Sequence, residues 1–492
     1  MFHDPFVAAV ALIGVVIIAA SLLSGAVERS GAPQVAIFLL LGAMLGPAGL
    51  GVVEFSLESE SLEVLATLAL VLVLFSDAIS VDLGEVREHR RLATLILGPG
   101  TVLPALLIGL AAWLMLGLPP AAAAILGAAL ASTDPVLLRT LVRSPALPQP
   151  ARLALRLESG INDVILLPVV VLAMVALSQG GATPDDVSRR AMGLFVLGPV
   201  LGVGVGYVAI ALLDRVRASF GVRRDYESLY ALGVAFTAFA AAESVGGSGF
   251  LAAFAAGLMV AAMDVELCDC FLDYGEASAE MFLLLTFVAF GASVIWTGFQ
   301  AADATTLGFA VLALAVRTAV LIPVLRVGGV EPHSRRLIAW LGPRGLSTLL
   351  LALLPVFAGV DGSVRLFQIT CLVVLLSVVV HGAGIALFLR RARTVPPAPP
   401  AAREETPQPI SFGPAAAEPR AAPVPEKITI EELRGLWEGG EPVTVLDVRT
   451  ERSYRDSHAI GRDAIRMPPD DAVRLVRERR LDPNATLVLY CT

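Results

Sequence analysis

Two short polar strings interrupt long apolar runs: Thr133-Asp134-Pro135 inside AAAAILGAALASTDPVLLRTLV, and Glu158-Ser159-Gly160-Ile161-Asn162-Asp163 inside ARLALRLESGINDVILLPVVVLAMVAL. A carboxylate at the centre of a bilayer costs roughly 2.5–3.5 kcal/mol on insertion scales, so acids in that setting mark ion or proton pathways. Pro135 lacks an amide proton, clashes with the carbonyl four residues back, near Ala131, and pushes Asp134 out of helical geometry. The helix should open there, freeing main-chain carbonyls beside the Thr133 hydroxyl and the Asp134 carboxylate. Hard oxygens around a cavity suit a small hard cation. In the second string Ser159 and Asp163 are four apart and share one helical face. Glu158 and Asn162 form the adjacent stripe, about 100° round the helix. Asp163 is the candidate proton carrier. Burial favours the neutral carboxyl and a bound cation favours the charged one, so Na⁺ and H⁺ compete for such a group.

Two arginines lie in equally apolar surroundings: Arg317 within TLGFAVLALAVRTAVLIPVL, and Arg344 within Trp340-Leu341-Gly342-Pro343-Arg344-Gly345. A buried guanidinium needs a carboxylate, and Glu158, on the stripe that Asp163 does not use, is the expected partner of Arg317. Arg344 is expected to support the site, with snorkelling from a helix end as the alternative. Asp77, near the end of LALVLVLFSDAISVDLG, either lines a funnel to the site or is solvated at the surface. Glu243 reads as a boundary residue, and Gly246-Gly247-Ser248-Gly249 as a tight turn with close helix packing.

These groups need membrane-spanning elements to hold them. The 492 residues are 56% hydrophobic and 16% charged, and the mean hydropathy is +0.77. Such values fit an all-α polytopic membrane protein. Apolar stretches long enough to span a bilayer are read at 6–24, 33–51, 62–81, 93–117, 119–140, 152–178, 192–213, 227–244, 248–264, 279–298, 303–325, 335–358 and 365–389, thirteen in all. The first follows only MFHDP and is kept as a helix rather than a signal peptide. With an outside N-terminus and a cytoplasmic C-terminus, nearly all loop arginines fall on the cytoplasmic side. Spans 5 and 12 carry the two interruptions and hold the fifth place in each half, the pattern of an inverted-repeat transporter with a midplane site. The net charge of −8 says little about partners; the lipid bilayer is the one implied, and nothing points to nucleic acid. Cys268, Cys270, Cys371 and Cys491 suggest neither a disulfide framework nor a metal centre. No cofactor is implied.

The chain is divided into a membrane domain (1–393), a Pro/Ala-rich linker (394–426) and a soluble α/β segment (427–492). In the last, ITIEELRGLWEGG reads as strand then helix, TVLDVR and TLVLYC as buried strands, and DDAVRLVRERRL as an amphipathic helix. The sequence stops at Thr492 directly after a strand, so the segment is expected to be incomplete, with a recoded stop codon as one explanation.

STDP at 132–135, ESGIND at 158–163, GSGFLAAFAAG at 247–257 and GPRG at 342–345 together resemble the NhaP-type sodium/proton antiporters of the first cation:proton antiporter family. The resemblance implies ion coordination by Asp134, Asp163, Ser159 and the Thr133 main chain, with Asn162 as companion and Glu158–Arg317 as a stabilising pair. It also implies a homodimer in the inner (cytoplasmic) membrane and alternating access. An Asn-Asp pair in place of Asp-Asp implies electroneutral exchange of Na⁺ or Li⁺ for H⁺, with K⁺/H⁺ exchange as the alternative. The tail, VTVLDVRTERSYRDSHAIGRDAIRMP and LVLYCT, resembles a rhodanese-like domain, with Cys491 at the sulfur-carrier position but no active-site loop after it. A channel, or a membrane-anchored sulfur carrier or sensor, are the readings from other classes.

Overall fold

The computed structural model describes residues 14–18, 22, 34–53, 55–81, 83–142, 147–178, 188–189, 191–220, 222, 224–263, 276–394, 430–439, 442–449, 454, 461, 464–467, 475 and 486–490. They divide into two compact units, Met1–Thr394 and Val395–Thr492. The first is helical. Its elements are α1 Gln34–Leu45, α2 Glu60–Ser80, α3 Arg90–Leu97, α4 Pro99–Leu116, α5 Pro120–Ala131, α6 Pro135–Val142, α7 Gln149–Ser178 and α8 Gly198–Phe220. They continue with α9 Arg224–Ser244, α10 Gly249–Met263, α11 Glu276–Ala292, α12 Ala304–Val327, α13 Pro332–Trp340, α14 Leu346–Phe357 and α15 Ser363–Thr394.

Seven helices among the described residues are long and apolar enough to cross a membrane, or eight with a bent pair taken as one span. Several of the thirteen stretches read from hydropathy are interrupted, and one of them, 119–140, still passes as a single span across its break. Hydropathy is blind to breaks. The stretch 33–51 is helical only over α1, because Gly46 and Pro47 end it in turns. The stretches 119–140 and 335–358 are each two half-helices, α5/α6 and α13/α14. The stretch 279–298 bends by 49° at Ser293, where α11 gives way to a 3₁₀ turn, Val294–Ala301. Ser293 donates its hydroxyl proton to the Phe55 carbonyl there. The first stretch lies largely outside the described residues.

Lipid tails supply no hydrophobic force between helices, so small residues and close backbone contact hold a bundle together. Gly198, Gly202 and Gly206 of α8 meet the carbonyls of Ser248, Ala252 and Ala256 on and just before α10, with no room for a Cβ at Gly202. Gly42 and Gly46 of α1 press in the same way on Val288 and Ala292 of α11, and Gly127 of α5 on Ala105 and Gly109 of α4. Glu243, read as a boundary residue, caps α10: its Oε1 accepts the Gly249 N–H at 2.8 Å.

The second unit contains α16 Ile430–Glu438 and a three-stranded parallel sheet of order β2-β1-β3, with β1 Val443–Asp447, β2 Ile465–Arg466 and β3 Thr486–Tyr490. Both strands read from TVLDVR and TLVLYC are present. The strand expected before α16, the helix at 470–481 apart from helical Leu475, and Cys491 lie outside the described residues. Asp447, at the end of β1, is buried and gripped by Arg449, whose Nε and Nη2 donate at 2.9 and 2.6 Å. The Arg449 guanidinium lies 5.2 Å from the Tyr454 ring centroid and 5.7 Å from that of Tyr490.

Hydrogen bonds from the Arg449 guanidinium hold the Asp447 carboxyl below its ordinary range. A carboxylate with a depressed folded-state pKa stabilises fully above its unfolded value, about 3.9, and loses that contribution as pH falls through the folded value. Asp447→Asn strands a buried guanidinium, at a cost of about 3–5 kcal/mol. Amide hydrogen exchange of β1 and β3 in the full chain should be much faster in this variant at pH 7, and the difference should begin to narrow only below about pH 4, closing as pH falls through the lowered folded-state value.

Candidate functional site

The site is built where the two broken helices cross. The first break is extended at Ser132 (φ −59°, ψ 138°), as expected upstream of Pro135. The second runs through Leu341-Gly342-Pro343-Arg344-Gly345, between Trp340 and Leu346. The Asp134 N–H donates to the Pro343 carbonyl at 2.9 Å, which ties one break to the other. The Asp134 carboxylate then serves both downstream half-helices. Its Oδ1 accepts the Val136 N–H at the start of α6 (2.8 Å), and its Oδ2 accepts the Leu346 N–H at the start of α14 (3.1 Å). A negative charge at a helix N-terminus is stabilised by unpaired N–H groups and the helix dipole; here one carboxylate receives two such ends.

The complementary charge sits at the C-terminal end of α5. Arg344 is 1% exposed, and its Nη1 donates to the Ala131 and Ser132 carbonyls at 2.9 and 3.0 Å. Thr348 adds a hydroxyl donor to the Ser132 carbonyl at 3.2 Å. Arg344 is therefore a buried member of the crossing, which removes the snorkelling alternative.

The second string docks on this crossing from α7. The Asn162 amide donates to the Thr133 hydroxyl at 2.9 Å, and the Ser132 hydroxyl donates to Asp163 Oδ1 at 2.5 Å. Asp163 Oδ2 and Asn162 Oδ1 are buried and have no hydrogen-bond partner among the described residues. Those two oxygens are the vacant acceptors of the site. Ser159 is buried on the Asp163 face, with its proton given back to the Leu155 carbonyl at 2.9 Å, so its oxygen lone pairs can still face an ion. One turn away, Asp77 of α2 lies beside Gly160, where an added Cβ would stand 3.8 Å from the Asp77 Cβ. Cys491 is not among the described residues.

Glu158 and Arg317 form a two-pronged buried pair, Nε to Oε1 at 2.7 Å and Nη2 to Oε2 at 2.5 Å. The third guanidinium nitrogen, Nη1, donates to the Ala339 carbonyl in α13 at 2.8 Å. The pair thus links α7, α12 and the first half of the second broken helix. Ser132 is the residue that sequence reasoning passed over. It opens the STDP string, and a hydroxyl at an unwound position next to a carboxylate was the available signal.

The glycines of the second break are there for space. A Cβ at Gly345 would overlap the Asp134 carboxylate, and one at Gly342 would overlap the Arg317 guanidinium. Gly345→Ala should therefore displace Asp134 from α14. Thermal stabilisation of the purified protein by Na⁺, Li⁺ or K⁺ should then need about tenfold more cation, or vanish, with Gly359→Ala as a control at a positive-φ turn away from the site. Unchanged cation stabilisation in Gly345→Ala would refute a role for the crossing in holding the ion.

Residues 15–391 match the family described as sodium/hydrogen exchanger, transmembrane. The K(+)/H(+) antiporter NhaP2 of Shewanella sp. (strain ANA-3) is 27% identical over 400 residues, covering 79% of this chain and 68% of that protein. The Na(+)/H(+) antiporter NhaS2 of Synechocystis sp. is 25% identical over 222 residues, covering 45% of this chain and 39% of the relative. Among solved structures, the sodium proton antiporter MjNhaP1 from Methanocaldococcus jannaschii at pH 8 superposes with a TM-score of 0.63 at 18% identity, covering 76% of this chain and 98% of that one. The polar strings at the crossing lie within the matched region, and the chain belongs to the sodium/hydrogen exchanger family as a multi-pass cation/proton antiporter.

Proposed function

We propose that this protein exchanges Na⁺ (or Li⁺) for H⁺, one for one, by alternating access across the cytoplasmic membrane. The observation that carries the stoichiometry is a count of the fully buried charges at the crossing. Asp134, Glu158 and Asp163 supply three carboxylates, and Arg317 and Arg344 supply two guanidiniums. The net charge is −1 when all are ionised. One proton or one monovalent cation on Asp163 cancels it. A charged site is expensive to move through a low-dielectric barrier and a neutral one is not. The loaded forms therefore cross and the empty form stays, which is the condition for obligatory exchange.

In this reading Asp163 is the exchanging group. Its vacant Oδ2, the Asn162 Oδ1, the Ser159 oxygen, the Thr133 main chain and Asp134 surround the ion. Asp134 and Arg344 hold the two breaks in register, and Glu158–Arg317 fastens α7 to α12 and α13. Asp77 lies on the approach from the cytoplasmic side. We place thirteen spans in a homodimer, with the N-terminus outside and the tail in the cytoplasm. K⁺/H⁺ exchange is the second reading, favoured by the Shewanella relatives, which are named as K(+)/H(+) antiporters. The tail we read as a rhodanese-like unit, on the strength of parallel β1 and β3 and of Cys491, the residue after β3. Its strand order is compatible with that fold.

Exchange is measured as ΔpH dissipation on adding Na⁺, Li⁺ or K⁺ to proteoliposomes, with a potential-sensitive dye in parallel. Asp163→Asn should abolish dissipation with every cation, and undiminished flux would remove Asp163 from the site. Asn162→Asp adds a second titratable acid beside the first. Any exchange that survives should become electrogenic, with the compartment that receives the net charge taking its sign, whereas the wild type should generate none. A wild-type potential would overturn the one-for-one reading.

A further inference from the structure

The second break rests on one stripe of α15. Ser377, His381 and Gly384 follow at i, i+4 and i+7, so they share a face. Ser377 Oγ accepts the main-chain N–H of Arg344 at 2.7 Å and pairs with His381 Nδ1 at 3.0 Å. Both side chains are buried. The His381 ring packs on Trp340, the last residue of α13, with centroids 5.7 Å apart and planes at 46°. Gly384 leaves the room for that indole: a Cβ there would stand 3.1 Å from Trp340 Nε1. His381 therefore touches the helix before the break directly, and the break itself through Ser377.

A neutral ring gives these bonds a consistent direction. A serine hydroxyl has one proton and two lone pairs. Ser377 spends a lone pair on the Arg344 N–H, so its proton is free for an acceptor. A neutral imidazole with its hydrogen on Nε2 presents Nδ1 as that acceptor. The charged groups acting on the ring are the guanidiniums of Arg344 and Arg317, and the one carboxylate facing them is Glu158, already held by Arg317. A protonated ring would add a third cation opposite a single acid. It would also turn Nδ1 into a donor towards Ser377 and displace the serine proton. The neutral ring satisfies every partner.

From His381 a path of hydrogen bonds, joined through the bodies of Arg344 and Ser132, leads to the exchanging carboxylate. Ser377 pairs with His381 and accepts from the Arg344 main chain. Arg344 Nη1 donates to the Ser132 carbonyl, and the Ser132 hydroxyl donates to Asp163. We propose that neutral His381 is a positioning residue of the exchange site, which sets Arg344 and hence Ser132 against Asp163 through Ser377. This rests on the antiport reading above and names a residue on α15, a helix that carries none of the carboxylates of the site.

The test compares wild type, Ser377→Ala, His381→Ala, His381→Asn and the Ser377→Ala/His381→Ala double variant in proteoliposomes. Asparagine places a neutral acceptor oxygen near the position of Nδ1. Each alanine variant should raise the cation concentration for half-maximal exchange by about tenfold while the maximal rate stays within about twofold. The double variant should be no worse than the poorer single one, because both cut the same chain. His381→Asn should recover most of the affinity. Losses that multiply in the double variant, an unaltered His381→Ala, or a His381→Asn as poor as alanine would each overturn the proposal. Wild-type vesicles that exchange no cation for protons would instead refute the antiport reading. In that case the chain is still scored by melting the same variants in detergent, where Ser377 and His381 must show coupled rather than additive effects.

Discussion

The interaction on which the membrane unit depends is one carboxylate shared by two helix N-termini. Asp134 accepts from Val136 at the head of α6 and from Leu346 at the head of α14. Two interrupted helices leave unpaired amides and carbonyls at bilayer depth, where no water offers them partners. The crossing solves this by exchange: the acid of the first break caps the second helix, and the arginine of the second break caps the carbonyl end of α5. Each interruption is tolerable because the other is present. This also explains why Gly345 has no side chain, since the shared carboxylate occupies the space a Cβ would need.

The two buried arginines do different jobs. Arg317 has a carboxylate of its own, with both prongs on Glu158, and its third nitrogen on Ala339. It behaves as a fastener whose charge is spent locally. Arg344 faces carbonyl dipoles instead, and its Nε and Nη2 have no hydrogen-bond partner among the described residues. Its charge is only partly answered and acts on the crossing as a whole, where it balances Asp134. What is left over is Asp163. A site in which every charge but one is compensated has one group free to trade a proton for a cation.

Much of this was legible in the sequence because burial narrows the choices. An arginine inside TLGFAVLALAVRTAVLIPVL needs an acid, and spacing left Glu158 for that role; the bond is present. The opening upstream of Pro135 follows from the missing amide proton, and Ser159 and Asp163 fall on one face by simple periodicity. The contacts that cross between distant segments were not legible. That Asp134 would cap α14, that Ser132 would reach Asp163, and that α15 would brace the second break through Ser377 all depend on which helices meet. Local patterns do not encode the meeting. Where each span is interrupted was not legible in hydropathy either: a hydropathy window averages over the 49° bend at Ser293 and over both breaks as though the helices were continuous.

The same geometry narrows where ion choice can reside. The donors at the crossing are a mixture of fixed and movable oxygens. Asp134 is held from both sides by backbone amides, and Thr133 is held by Asn162. Asp163 is held by the hydroxyls of Ser132 and Ser347, with Oδ2 left without a hydrogen-bond partner among the described residues. A cation smaller than the gap can draw the free side of Asp163 inward, at the cost of straining the Ser132 bond. A larger cation must push against Asp134, and through it against two helix ends at once. Under the proposed exchange, selectivity between Na⁺ and K⁺ is then set less by which oxygens are present than by how stiffly the breaks are pinned. The pins are Gly342, Gly345 and the Arg344 contacts, none of which needs to touch the ion.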